Sequence, residues 1–186
     1  MDIKFYPSSE YHDNSIVRES VIQWSLIWSD YKVSIKKFTE EVTGLKFSTE
    51  TLSAQIHPSM SKSYPLTLCW KPKGEQALLL LWHELLHRLF SECGIESSSY
   101  PDLGSESGIN ESYEDHIRVY LTLRICLTKL GMRNLLDREM AVLETRNSPI
   151  GNSVYIPALR FALNVPEQEI VKELSRRLHV FRNLVP

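Results

Sequence analysis

The longest regular pattern in the chain begins at Ile16. Val17, Val21, Trp24, Trp28, Tyr31, Ile35, Phe38 and Val42 recur at spacings of four and three, which draws one apolar stripe along a helix from Ile16 to about Val42. Asp13 or Asn14 can cap its start, and Gly44 can end it. The two indoles on the stripe suit a helix backing a sheet better than a two-stranded coiled-coil seam, so the stripe is assigned to the core. Before it, Ile3 to Tyr6 forms a short strand, and Ser8 to Ser15 a polar turn. After it, alternation near Thr51 to Ile56 and Tyr64 to Trp70 predicts two short antiparallel strands. Pro65 puts the second of these at a sheet edge.

Pro72-Lys73-Gly74 closes the strand region, and Glu75 opens a helix that runs to Gly94. The stretch from Glu96 to Ile109 is rich in Ser, Gly and acidic residues and has no apolar period, so it is expected to be a loop. Asn110 can cap the next helix, which continues to about Lys129 and stops at Gly131. Two more helical segments follow, near Met132 to Thr145 and from Pro166 to Phe181, with Pro166 suited to a first turn. The fold class is α+β. Residues 1–186 are read as a single domain, with a helical C-terminal extension from about 147 as the alternative.

Composition narrows the function classes. A net charge of −2 with 24% charged residues gives no global field favouring nucleic acid or an anionic membrane. Lys36-Lys37 and Arg176-Arg177 read as solvated helix faces. The apolar run Ala77 to Trp82 is too short to span a bilayer, and the first residues lack the apolar core of a signal peptide. A cytoplasmic, monomeric protein is expected. Three cysteines, Cys69, Cys93 and Cys126, form no CxxC pair; they are expected to be small buried hydrophobes in a reducing compartment.

The chemistry sits in Trp82-His83-Glu84-Leu85-Leu86-His87. On a helix, HExxH puts two imidazoles one turn apart on one face, where both can bind one metal ion, with Glu84 held beside it as a general base. Leu80, Leu81, Leu85, Leu86 and Leu89 supply an apolar surround. Two imidazoles and a carboxylate among leucines cost several kcal/mol unless each is paired, roughly the penalty of burying bare polar groups. A metal removes that cost, so His83 and His87 are assigned as ligands. Arg88 is a departure, since the position after the second histidine is usually uncharged in zinc peptidases of this pattern. A catalytic zinc needs a third protein ligand. Glu111, Glu114 and His116 are the candidates. Glu114 and His116 lie nearer the apolar side of their helix, whereas Arg118, Thr122 and Lys129 share the face of Glu111. His12 and His57 lie in polar turns and are expected to be solvated. Tyr100, Tyr155 and His179 are conceivable oxyanion stabilisers, and the sequence does not choose among them.

Gly108-Ile109-Asn110-Glu111 followed by Asp115 resembles the third-ligand helix of the gluzincins, a clan of zinc peptidases. The resemblance covers mainly residues 64–130. It implies a zincin-like fold, with a long N-terminal backing helix, a small mixed sheet with an edge strand, an HExxH helix, a third-ligand helix and a helical C-terminal part. By position it makes Glu111 the third zinc ligand and Asp115 the carboxylate that holds the first histidine of the motif. It also implies zinc-dependent peptide hydrolysis, with the edge strand Tyr64 to Trp70 holding an extended peptide substrate by main-chain hydrogen bonds. Ala158 to Glu167 and the helix after it are similar, more loosely, to the C-terminal part of small HExxH peptidases that cleave repressors. Cleavage of one intracellular regulator is therefore an alternative function. A non-catalytic zincin-fold binding module is another, opposed by the intact Glu84.

Overall fold

The computed structural model describes residues 1–96, 103–146 and 148–182, the last four by their backbone alone. The apolar stripe folds as α1 (Ser15–Thr43). The Asn14 side chain accepts hydrogen bonds from the backbone N–H groups of Ile16 and Val17, and Gly44 ends the helix at φ 68°. Val17, Trp24, Trp28 and Ile35 are buried, and Val21, Tyr31, Phe38 and Val42 pack against them. Both indoles fasten α1 to the sheet, as their bulk suggested. Trp24 stacks on Phe5 with ring centroids 6.5 Å apart, and Trp28 Nε1 donates to Asp2 Oδ1 at 2.9 Å.

The sheet has the order β1 (Asp2–Pro7), β2 (Thr51–His57), β3 (Thr67–Cys69). β1 and β2 are parallel, with α1 as the crossover between them. β2 and β3 are parallel as well, in the register Gln55↔Thr67, Ile56↔Leu68 and His57↔Cys69; this corrects the antiparallel expectation. No hairpin joins them, because residues 58–66 double back as a strap along the outer side of β3. There Lys62 and Thr67 exchange two backbone hydrogen bonds of 2.8 and 2.9 Å. Ser61 Oγ accepts from the Cys69 N–H at 2.9 Å, and the Pro58 carbonyl accepts from Trp70 Nε1 at 2.5 Å. β3 thus lies at an edge, as Pro65 implied, but it is only three residues long and Pro65 itself belongs to the strap. Its outward-facing Thr67 N–H and C=O and Cys69 N–H are already paired within the chain. The expected main-chain docking of a substrate on Tyr64 to Trp70 therefore has no free donors at these positions.

The remaining described elements are α2 (Glu75–Glu92), α3 (Glu106–Lys129), α4 (Asn134–Arg146), a π-helical turn (Gly151–Tyr155), α5 (Ile156–Asn164) and α6 (Ile170–Arg182). α3 starts four residues before the expected cap at Asn110. Ser105 is the cap instead, its Oγ accepting from the Gly108 N–H at 3.1 Å, so Asn110 and Glu111 belong to the body of the helix. α6 starts at Ile170, after a turn in which the Glu169 N–H bonds the Pro166 carbonyl. The π-helical turn and α5 were not anticipated.

One hydrophobic core runs from Ile3 through to Leu178, and α3 has fourteen buried residues, seven of them apolar members of that core. That makes α3 the axle on which α1, α2, α5 and α6 pack. Arg124, buried on α3, donates to the carbonyls of Ala162 and Val165 at 2.6 Å each; this satisfies acceptors that the end of α5 would leave open. Trp82 on α2 donates its indole N–H to Thr39 Oγ1 on α1 at 2.8 Å, in a fully buried contact. Of the three cysteines, all free, only Cys126 is buried and Cys93 is exposed. Among the described residues no helix is long and apolar enough to cross a membrane.

The Thr39–Trp82 bond yields a direct test of how α1 holds α2. Thr39→Val keeps the shape but leaves a buried indole N–H without an acceptor. It should destabilise the protein by about 1–3 kcal/mol, read as a lower denaturation midpoint in urea at unchanged slope.

Candidate metal centre

The four-residue spacing on α2 brings His83 and His87 to one face, with their Nε2 atoms 3.1 Å apart. α3 packs across this face and adds His116, whose ring centroid lies 5.3 Å from that of His83 and 4.6 Å from that of His87. One ligand atom from each of the three imidazoles lies within 4.8 Å of the others. The ring orientations are fixed from behind. His116 Nδ1 donates to the Ser112 carbonyl at 2.7 Å, and His87 Nδ1 bonds the Glu96 carboxylate at 2.8 Å. In each neutral ring the proton sits on Nδ1 and the lone pair on Nε2, facing the other histidines. Three convergent neutral imidazoles are a donor set suited to zinc.

The residues singled out in the sequence divide accordingly. His83, Glu84 and His87 stand together as the motif requires, and His116 joins them. Glu111 does not. It is exposed and borders a separate cavity of about 460 Å³ with Asn110, Arg176 and Arg177. It lies in the second turn of α3. Five residues further on, His116 sits about 140° around the helix at 100° per residue, on the stripe of Tyr113, Tyr120, Leu123 and Leu127. Glu114 is not part of the group either and pairs with Arg177.

Asp115 is buried but does not hold His83. It bonds Arg118 at 2.5 Å, and its charge bears on His87. The carboxylate that takes a histidine N–H is Glu96, from the stretch expected to be a featureless loop. Gly94, at φ 68°, turns the chain back so that the Ile95 and Glu96 N–H groups bond the Phe90 carbonyl. Only the turn signal of Gly94 hinted at this return. Arg88 is held away from the ligands, with Nε 2.7 Å from Glu92 and its guanidinium over the Tyr64 ring. His12 is exposed and pairs with Asp13, while the His57 ring meets the edge of Tyr11. Neither contributes to the centre. Tyr100 and the side chain of His179 lie outside the described residues.

Burial dominates the electrostatics. It pushes His116 down to about 3 and His87 down to about 4, and holds His83 well below the ordinary histidine range, with the neighbouring imidazoles adding to the effect for His83 and His116. The three rings are neutral at pH 7, as metal ligands must be. Burial, with the charge of Glu96, raises Glu84 to about 8. Asp115 is raised to about 7 because burial and Glu96 together outweigh Arg118, and Glu96 is raised well above the carboxylate range.

His83 and Glu84 open onto a cleft of about 310 Å³ whose walls come from α2, α3, α4, the π-helical turn and the strap. Tyr155 lines it with its ring centroid 4.6 Å from that of His116, and buried Tyr120 lies 5.4 Å from His83 by the same measure. Tyr155 is among the candidates that the sequence offers; Tyr120 is not. No family model, curated protein or solved structure matches the chain at a significant level.

The raised Glu84 carboxyl sets the pH dependence of the metal-free protein. The folded state holds this proton up to about pH 8, whereas the unfolded chain releases it near 4.5. That contribution is complete below 4.5 and is lost as pH rises through 8. The histidines act oppositely, since their depressed values give stability above about 6.5 that disappears on acidification. Above about pH 7 the histidines are largely neutral in both states, and the raised carboxyls of Glu84, Asp115 and Glu96 govern the slope. Chelator-treated protein should therefore lose thermal stability from about pH 7 to 8, and Glu84→Gln should lessen the loss in melts followed by circular dichroism.

Proposed function

We propose that this chain is a zinc-dependent hydrolase of peptide bonds, with His83, His87 and His116 as the metal ligands and Glu84 as the general base. The observation that carries this reading is the convergence of three neutral imidazoles beside a cleft that Glu84 also faces. Three protein ligands leave a fourth position for water, the arrangement of catalytic rather than structural zinc. The order of backing helix, small sheet, HExxH helix and third-ligand helix agrees with a zincin-like architecture. The donor set differs from the gluzincin one, since a neutral histidine stands where that clan has a glutamate.

A zinc ion in the site would supply a Lewis acid and bring the pKa of a bound water towards neutrality. Glu84 takes the proton of the attacking water and passes it to the leaving amine. The raised value of this carboxyl belongs to the cation-free pocket, and a divalent charge beside it favours the carboxylate that a base must be. Glu96 and the Ser112 carbonyl keep His87 and His116 in the tautomer that offers Nε2 outward. Tyr155, on the cleft wall beside His116, is the phenol suited to donate to the oxygen that gains charge as the carbonyl is attacked. Leu79, Leu80 and Leu143 make that side of the cleft apolar.

The test is metal analysis combined with cleavage of a degenerate peptide library followed by mass spectrometry. Wild type and Glu84→Gln should each hold about one zinc per chain, while Glu84→Gln loses on the order of 10²–10⁴-fold in cleavage rate. His116→Ala should lose the zinc and Glu111→Ala should keep it. Full zinc retention by His116→Ala would overturn the ligand assignment, and equal cleavage by Glu84→Gln would overturn the assignment of the base.

A further inference from the structure

Glu139 lies on α4, on the wall of the cleft that holds His83 and Glu84. It is half-buried, yet among the described residues no hydrogen bond or ion pair reaches its carboxylate. Neither of the cations nearest in sequence forms an ion pair with it. Arg138 pairs with Glu75 across to α2. Arg146, two turns along α4, is exposed and lines the same cleft; its charge bears on Glu139, but from beyond ion-pair distance. Glu139 and Glu84 line this cleft from different helices, and the charges of both bear on the Tyr120 phenol.

A carboxylate kept partly out of water without a partner is destabilising, and it pushes Glu139 upward. A structural role would supply that partner from within the chain, as Arg118 does for Asp115. Leu79, Leu80 and Leu143 line the same cleft as Glu139. An acid and aliphatic side chains in one cleft complement a cation on an aliphatic stem. The cleft volume of about 310 Å³ stands at the lower end of ligand pockets, roughly 300–1,000 Å³; it has room for a side chain or two rather than a folded partner.

We infer that Glu139 is a specificity-determining residue that receives a cationic group of the peptide substrate, its aliphatic stem packed on Leu79, Leu80 and Leu143. This rests on the peptide-hydrolase reading for the identity of the ligand as a peptide, but not on turnover. The cation is an ammonium or guanidinium, supplied by a lysine or arginine side chain or by a free N-terminus.

The experiment separates binding from cleavage. Zinc-loaded full-length Glu84→Gln and the double variant Glu84→Gln/Glu139→Gln are used to select from random peptide libraries, one with free and one with acetylated N-termini. Circular dichroism and zinc content confirm that both variants are folded and loaded. The single variant should enrich lysine or arginine at one position in both libraries, or any sequence with a free N-terminus over its acetylated form. Removal of Glu139 should reduce that enrichment about tenfold or more, the scale of one charge-assisted hydrogen bond. Enrichment in the acetylated library assigns the side chain as the source; enrichment confined to the free library assigns the N-terminus. Cation selection that survives Glu139→Gln, selection without cation preference, or no selection at all overturns the inference. Wild-type cleavage of the selected peptides is scored separately. Glu139-dependent cation selection without cleavage sinks the hydrolase reading and leaves the cation site standing.

Discussion

The interface between α2 and α3 is where this protein sets polar chemistry inside an apolar core, and most of its other features follow from that constraint. α2 presents His83, Glu84 and His87 among leucines that are fully buried, and α3 answers with His116, Asp115 and Arg118. Each such group costs free energy in a dry interface unless it finds a partner. The partners come from several elements: Glu96 from the turn after α2, Ser112 from the turn of α3 below His116, and Arg118 from the turn above Asp115. The grouping of His116 with His83 and His87 holds only if the two helices keep one register. Thr39 clasps Trp82 from α1, and Arg124 pins α3 to the end of α5; these contacts hold that register from outside the site.

The interface also accounts for His116, rather than Glu111, standing with the two histidines of α2. Asn110-Glu111 and Asp115 reproduce a familiar spacing, but spacing along one helix does not say which side of it meets the neighbouring helix. That information was present in a different signal. His116 shares its stripe with Tyr120, Leu123 and Leu127, all buried, and the stripe facing α2 is the one able to complete a site on α2. The helix starts at Glu106, which places Glu111 in its second turn, on the face away from α2.

Much of the fold was legible for similar reasons, and the remainder was not. The stripe and caps of α1, the extent of α2 and the HExxH face are local properties written in residues three and four apart. The direction of β3 was not, because strand pairing depends on where residues 58–66 travel, and nothing in Ser59 to Ser63 distinguishes a strap from a hairpin loop. Glu96 was hidden for a similar reason. It looked like one more acid in a polar stretch, and only the left-handed turn at Gly94 folds it onto His87. The part of the site carried by single helices could be read from sequence, while the part made by chain reversals could not.

The strap ties the cleft to the sheet. Ser59 and Ser61 line the cleft, while Ser61 and Lys62 also complete the hydrogen bonding of β3. Widening the cleft at this rim would peel the strap from the strand and expose main-chain groups that have no other partner. The width of the cleft on this side is thus governed by the integrity of the sheet, and a bulky ligand is admitted more cheaply at the opposite rim, formed by α4 and the π-helical turn. The same pairing also blunts a strand edge that could otherwise add strands from another molecule. One short segment therefore acts both as a gauge of what enters and as a guard against self-association.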